Sequence, residues 1–429
     1  MQFLFKPIFY IVSLLLGTFL VLKIEKLKPS DIEPHNGLFD KEVLISLHEI
    51  YPIREKGVKK LNDEEKNFGR IAWKYFNNNY IPKTGLVPAT QGGEAVTLKD
   101  MGDYMMALVS AWELRIVDSS TFDSRMKSFI GYLDNMELSD EHLPYKYYNV
   151  KTGSASHLKK WDPIDIGRFY AFVNKIIFDY PLYHQHLKEA LNRWELKNMV
   201  FKGHLYQMNE KNEKVPVGRL GSEEYASKNL ERVGCDLTES LLYNDFVKFE
   251  NVNGEQVAVD TRENKSKILE TKVENDFYLL DGLECGWDIN SKELCYRLYL
   301  AQKRRNSERH ILVACAETYN DKGSDVLHNT IFADRGAWKC FHDDGREDET
   351  LRITAVKTAF AWKALYKDGY AERVFNGIKA LKDPENGWYE GMYENTSVPV
   401  KVFSSSTNAT VLEALNFRAN GRLLKFQGF

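Results

Sequence analysis

Gly387-Trp-Tyr-Glu-Gly-Met-Tyr-Glu394, followed by Ser404-Ser-Ser-Thr-Asn-Ala-Thr410, is the stretch from which the fold can be read. The first piece sets Glu390 and Glu394 among Trp388, Tyr389 and Tyr393 and two glycines. Flat aromatic faces stack on the C–H face of a sugar, and carboxylates bind hydroxyls or move protons. The second piece is small and polar and runs into Val411-Leu-Glu-Ala-Leu415, a helical pattern with Thr407 or Asn408 as the expected N-cap. An ordinary aromatic surface loop over an ordinary cap fits the same residues.

The same pairing of acidic loop and helix start recurs upstream. Thr97-Leu-Lys-Asp100 opens a helix with Met101, Met105, Leu108 and Trp112 on one face, and Thr97 with Asp100 makes an approximate capping box. Asp100 is therefore a helix-start carboxylate first and a site residue second. Trp161-Asp-Pro-Ile-Asp165-Ile-Gly-Arg168 repeats the arrangement. Ser222-Glu-Glu-Tyr-Ala226 does so again, with Ser222 as the expected cap. About a dozen helical patterns follow one another, linked by acidic and aromatic loops. That order predicts a mainly α (α/α)6 toroid of six inner and six outer helices, although a loose helical bundle has the same periodicity. Val247, Phe249 and Val252, then Asn253-Gly254, then Val257 and Val259 break the pattern as a β-hairpin, expected as an insertion over about 246–276.

The apolar run over 8–22, with Lys6 before it and Lys23, Lys26 and Lys28 after it, reads as an uncleaved signal anchor. The expected organisation is an anchor over 1–28, a linker over 29–60 and the toroid over 61–429, with the soluble domain in the periplasm of a bacterial inner membrane. A net charge of −3 without a long basic run excludes a nucleic-acid partner. The five cysteines form no C-x-x-C pair, so a zinc ribbon is disfavoured. No nucleotide, nucleophile-elbow or zinc-protease motif occurs, and no D-x-D-x-D-G calcium loop, so neither cofactor nor metal is expected.

The loops supply Asp100, Asp103, Asp162, Asp165, Glu223, Glu224, Glu284, Asp288, Asp343, Asp344, Glu390 and Glu394. Gathered at one mouth of a toroid, they would form an acidic cleft. Glycosidic cleavage needs two carboxyl groups in such a cleft, one protonated and one ionised.

Several stretches, in order from Leu61 to Leu424, resemble the bacterial domain-of-unknown-function family 3131. They are Ala72-Trp-Lys-Tyr-Phe76, Thr84-Gly-Leu-Val87, Asp165-Ile-Gly-Arg168, Gly218-Arg-Leu-Gly-Ser-Glu-Glu-Tyr-Ala226, Leu280-Asp-Gly-Leu-Glu-Cys-Gly-Trp287, Gln302-Lys-Arg-Arg305, and Gly391-Met-Tyr-Glu394 through Leu412-Glu-Ala-Leu415. The two ends are more distantly similar to glycoside hydrolase family 144, the endo-β-1,2-glucanases. That resemblance implies a toroid, an envelope location and a polysaccharide or oligosaccharide partner. By analogy the acid lies mid-chain and the base late, which points to Glu224 (or Glu223) as acid and to Asp343, Glu390 or Glu394 as base. Asp100, Asp165, Arg168, Tyr225, Glu284, Trp287, Trp388, Tyr389, Tyr393 and Asn408 are the expected substrate-binding residues.

Two departures bear on activity. The family's Trp-Asp before the second-helix glycine is here Leu98-Lys-Asp100-Met-Gly102, and the first glutamate of its Glu-Gly-Arg-Leu-Gly motif is here Val217. If that glutamate is the proton donor in relatives, this chain is inactive or uses Glu223 or Glu224. The resulting expectation is an envelope-anchored, glycoside hydrolase-like protein acting on a bacterial glucan or exopolysaccharide. The alternatives are a non-catalytic polysaccharide-binding component of exopolysaccharide assembly or export machinery, and a polysaccharide lyase.

Overall fold

The computed structural model describes Ile53 and residues 60–156, 160–209, 213–217, 220–242, 247–261, 272–273, 275–323, 326–332 and 336–425. The expected anchor lies outside the described residues, as do the linker apart from Ile53 and Lys60, Gly218, Arg219 and the charged run Arg262-Glu-Asn-Lys-Ser-Lys267. No helix among the described residues is long and apolar enough to cross a membrane.

Eleven α-helices stand among the described residues: α1 (Asp63–Asn78), α2 (Leu98–Glu113), α3 (Ser119–Asn135), α4 (Pro163–Asp179), α5 (Pro181–Leu191), α6 (Ser222–Glu231), α7 (Asn275–Glu284), α8 (Ile289–Arg309), α9 (Val356–Leu365), α10 (Gly369–Ile378) and α11 (Ser405–Asn420). Helix α2 packs on α4, α4 on α6, α6 on α7, α7 on α9, α9 on α11, and α11 back on α2, so these six close a ring. Buried side chains lie on every side of α2, α4 and α11, as expected of helices enclosed by others. Helix α1 instead buries one stripe, with Phe68, Ile71, Ala72, Tyr75 and Phe76.

Inner neighbours run parallel. A Cβ at Gly102 of α2 would lie 3.1 Å from Phe169 Cα of α4, and one at Gly167 of α4 would lie 2.5 Å from Ala226 Cα of α6. These glycines let the ring helices approach backbone to backbone. Lys99 and Lys357, each near the start of its helix, both reach Ser406 at the start of α11. The N-termini of the inner helices therefore gather at one mouth of the ring.

Five outer helices, α1, α3, α5, α8 and α10, alternate with the inner six. Six outer helices were expected, and the alternation breaks between α6 and α7, where the sequence points to a hairpin insertion. Short strands β1 (Ala95–Thr97), β2 (Tyr147–Asn149), β3 (Ala155–Ser156), β4 (Val200–Phe201), β5 (His204–Met208) and β6 (Lys214–Pro216) come earlier in the chain, and among the described residues the interval between α6 and α7 holds the hairpin β7 (Val247–Val252) and β8 (Glu255–Asp260), with β8 packed on α8. Its β-branched alternation cannot form a helix face, and Asn253 (φ 49°) and Gly254 (φ 80°) make the tight turn.

Helix caps differ from expectation in two places. Ser404, not Thr407 or Asn408, caps α11; its hydroxyl accepts the Thr407 N–H at 3.1 Å. Gly221, at φ 95°, precedes α6, and Ser222 is the first helical residue. The Thr97–Asp100 capping box forms in full.

The mouth also carries an antiparallel sheet that periodicity missed: β9 (Glu317–Tyr319), β10 (Val326–Phe332) and β11 (Gly336–His342). Strand β10 is buried on both faces from Leu327 to Phe332, so no period-2 alternation marks it.

Candidate active site

At the mouth, the start of α2 contributes Lys99, Asp100 and Asp103. Asp100 spends one carboxylate oxygen on its own cap, accepting from Thr97 N at 2.9 Å and Thr97 Oγ1 at 2.8 Å. Burial, less the pull of Lys99, raises its pKa. Lys99 pairs with Asp103 at 2.8 Å.

The start of α4 contributes Asp162 and Asp165. Asp162 is the N-cap, accepting from Ile164 N at 3.0 Å, and pairs with Lys146 at 2.6 Å. Burial works against the charged form of Asp162, but Lys146 and the cap bonds outweigh it and its pKa falls. Asp165 is 9 % exposed, and its Oδ2 has no hydrogen-bond partner among the described residues. Burial first, then the charge of Asp162, lifts its pKa well above the carboxylate range; Lys146 opposes this, and Asp100 adds to it. Of this carboxyl pair, Asp165 therefore holds the proton.

The sheet supplies the opposite case. Asp343 follows β11, and its side chain is 55 % exposed. Burial raises its pKa, but His328 Nε2 at 2.8 Å and the Val326 N–H at 3.3 Å more than offset this, leaving it below the usual value. Two half-buried tyrosines join the groups. The pKa of Tyr147 is raised by burial, with contributions from Asp165 and Asp343. That of Tyr319 is raised by burial and by Asp100, Glu390 and Asp343, with Tyr147 also beside it. Asp100, Asp165, Asp343 and Glu390 thus share one end of the ring.

Glu390 is buried and fully engaged. It accepts from Tyr319 N at 3.1 Å, from Thr407 Oγ1 at 2.7 Å and from Ser404 Oγ. Glu394 is held by Arg305 at 2.9 Å through both oxygens, and by Arg352 at 3.1 Å. Glu223 accepts from Leu205 N at 3.3 Å and from Ser240 Oγ at 3.1 Å. Glu224 is 1 % exposed, and its carboxylate accepts the Gly221 N–H. Val217, where the family resemblance leads one to expect a glutamate, is buried, and its N–H donates to Leu205 O at 2.9 Å.

Arg168, Tyr225 and Glu284 meet inside the ring below the mouth. Arg168 is 0 % exposed and reaches Asp103 of α2, Glu284 of α7, Glu413 of α11 and the Tyr225 hydroxyl of α6. The aromatic residues singled out in the sequence do other work. Trp388 is buried against Phe68 and Phe360, its Nε1 donating to Phe68 O at 3.1 Å and its N–H to Asn408 Oδ1 at 2.8 Å. Trp287, past the C-terminus of α7, stacks on Tyr366. Tyr389 packs on Phe403, and the Tyr393 hydroxyl donates to Asp321 at 2.6 Å.

Sequence reasoning missed Lys99, Lys146, Tyr147, Glu317, Tyr319, His328 and Lys357. Lys146 and Tyr147 lie in the aromatic loop Tyr145-Lys-Tyr-Tyr148, and Lys99 lies within the Thr97–Asp100 cap, so these could have been singled out; the others have no local motif. No cluster of His, Cys, Asp and Glu among the described residues suits a metal ion.

The chain belongs to the family described as protein of unknown function (DUF3131), whose model matches residues 67–421. No curated protein matches it by sequence. Among solved structures it is similar to the endo-β-1,2-glucanase of Chitinophaga pinensis in complex with sophorotriose and glucose: TM-score 0.62, 12 % identity, covering 85 % of this chain and 95 % of that one. It is also similar to the endo-β-1,2-glucanase of Talaromyces funiculosus in complex with sophorose: TM-score 0.58, 11 % identity, covering 84 % of each chain. At these identities the likeness is one of fold, a helical toroid.

Proposed function

We propose that this protein is a glycoside hydrolase acting on a glucan or exopolysaccharide at the mouth of the ring. One observation carries the reading: two carboxyl groups beside the same tyrosine, Tyr147, have opposite environments. Asp165 is buried with one oxygen lacking a hydrogen-bond partner among the described residues, which favours its protonated form, whereas Asp343 is half-exposed and held by His328 Nε2, which favours its ionised form. Environments that push two carboxyl pKa values apart are what acid–base hydrolysis requires. The fold shared with β-1,2-glucanases supports the same class.

In this reading Asp165 donates its proton to the glycosidic oxygen as the anomeric C–O bond breaks. Asp343 takes a proton from the water that attacks the anomeric carbon. Solvent then returns the proton to Asp165. Tyr147 and Tyr319 supply the faces on which sugar rings rest. Asp165 takes the donor role that the family analogy gave to Glu224, because Glu224 is buried and its carboxylate binds its own helix start. An anchor over 1–28 that keeps the domain at the bacterial envelope belongs to the same proposal, and rests on the apolar run with its flanking lysines.

The test is incubation of the purified full chain with β-1,2-glucan and a panel of other bacterial glucans. New reducing ends are the expected result. Retained glucan binding without any reducing ends would replace the hydrolase with the non-catalytic binding component.

A further inference from the structure

His328 lies on the sheet that carries Asp343, one register position from the buried His342, and its surroundings are unusually complete. It sits on β10, directly across from Glu317 of β9 in the antiparallel register. Its Nδ1 is 2.9 Å from Glu317 Oε1, and its Nε2 is 2.8 Å from Asp343 Oδ1. Lys272, from the segment before α7, lies 3.1 Å from Nδ1 and also pairs with Glu317. Glu317 is fixed in turn, its N–H donating to Asp276 Oδ2 at 2.9 Å, and Asp276 is paired with Lys357 at 2.9 Å. The ring is 92 % withdrawn from solvent at its side chain, whereas Asp343 beyond it is open.

From this arrangement we infer that His328 is a positioning residue that holds the Asp343 carboxylate in place, ready to accept a proton. The inference rests on the hydrolase reading above and deepens it. Among the described residues Nε2 meets a carboxylate oxygen alone, so with Asp343 ionised it carries a proton and donates it in either protonation state of the ring. Nδ1 has two neighbours of opposite sign. Burial and Lys272 disfavour the imidazolium, while Glu317 and the hydrogen bonds to both carboxylates favour it; the balance raises the pKa of His328. The ring therefore keeps its second proton to higher pH than an ordinary imidazole, and the imidazolium stands directly behind Asp343. A base held this way stays ionised to lower pH and cannot swing out of reach of the attacking water.

The experiment uses the full chain in two arms. In the first, His328→Gln keeps a donor toward Asp343 but removes the charge. The acid limb of its kcat/KM profile should move upward by about 1–3 pH units, and His328→Ala should lower kcat more than it changes KM. A loss of activity with the acid limb unmoved would make His328 merely structural and overturn the inference. In the second arm, imidazole 15N NMR follows the resonance missing from His328→Gln. It should titrate above about 6.5 in the wild type and fall in Asp343→Asn; an identical titration in both proteins would overturn the inference. The NMR arm does not depend on turnover, so failure of the hydrolase reading and failure of the His328 reading give different results.

Discussion

Arg168 Nη2 lies 2.6 Å from Glu413 Oε1, which joins α4 to α11 across the inside of the ring. Its Nε binds Asp103 at 2.8 Å, and its Nη1 binds Glu284 and, at 3.2 Å, the Tyr225 hydroxyl. One side chain thus ties its own helix to four of the other five inner helices. Taking Arg168 away leaves three buried carboxyl groups around an empty space. Arg168→Met should cost about 3–5 kcal/mol and lower Tm sharply in calorimetry. An unchanged Tm would mean that the ring does not depend on this hub.

Glu413 behaves differently from its partners. Burial raises its pKa, Arg168 opposes this, and the neighbouring charge of Glu284 raises it further, so the net position is well above the carboxylate range. The second oxygen of Glu413 can then donate a shared proton to Glu284. A carboxyl with a raised folded pKa favours the native state fully below its unfolded pKa of about 4.3. That contribution is lost as pH rises through the folded value. Glu413→Gln keeps an acceptor for Arg168 and gives Glu284 a permanent donor. It should flatten this decline, so that its Tm exceeds the wild-type value most at alkaline pH. A Tm difference independent of pH would contradict the shared proton.

Gly167 sets the approach of α4 to α6. A Cβ there would lie 2.3 Å from Ala226 Cβ, so the two helices must part to admit it. Gly167→Ala should destabilise the protein by about 1–3 kcal/mol, seen as a lower urea midpoint; an unchanged midpoint would show that the contact yields freely.

Glu390 separates structure from chemistry. Its carboxylate is the acceptor for two hydroxyls and one backbone N–H that join β9 to the start of α11. Glu390→Gln turns one oxygen into a donor that faces these groups. A loss of about 1–3 kcal/mol is expected, readable in the same denaturation experiment. Full stability with abolished hydrolysis would return Glu390 to the role of base.

Much of the ring was legible because inner helix starts announce themselves. Thr97 with Asp100, and Asp162 with Pro163, are caps that local chemistry dictates whatever the tertiary context. The hairpin at Asn253-Gly254 was legible for the same reason. What was not legible depended on contacts distant in sequence. Strand β10 is buried on both faces, so it leaves no alternation, and with it went His328 and the sheet that carries Asp343. Trp388 looks like a sugar platform in sequence, yet its neighbours are Phe68, more than 300 residues earlier, and Phe360. Asp165 and Asp343 were both among the candidates. The difference in their protonation comes from the burial of Asp165 and from the contact of His328 with Asp343, and no local pattern singles out either.

The pH dependence of kcat/KM for glucan hydrolysis, measured for wild type, Asp165→Asn and Asp343→Asn, tests the acid–base assignment most directly. The expected wild-type curve is a bell. Its acid limb, set by Asp343, lies at or below the ordinary carboxylate range, and its alkaline limb, set by Asp165, lies well above it. Each variant should lose about 10²–10⁴-fold in rate together with its own limb. Undiminished hydrolysis in both variants, with the bell intact, would contradict the account.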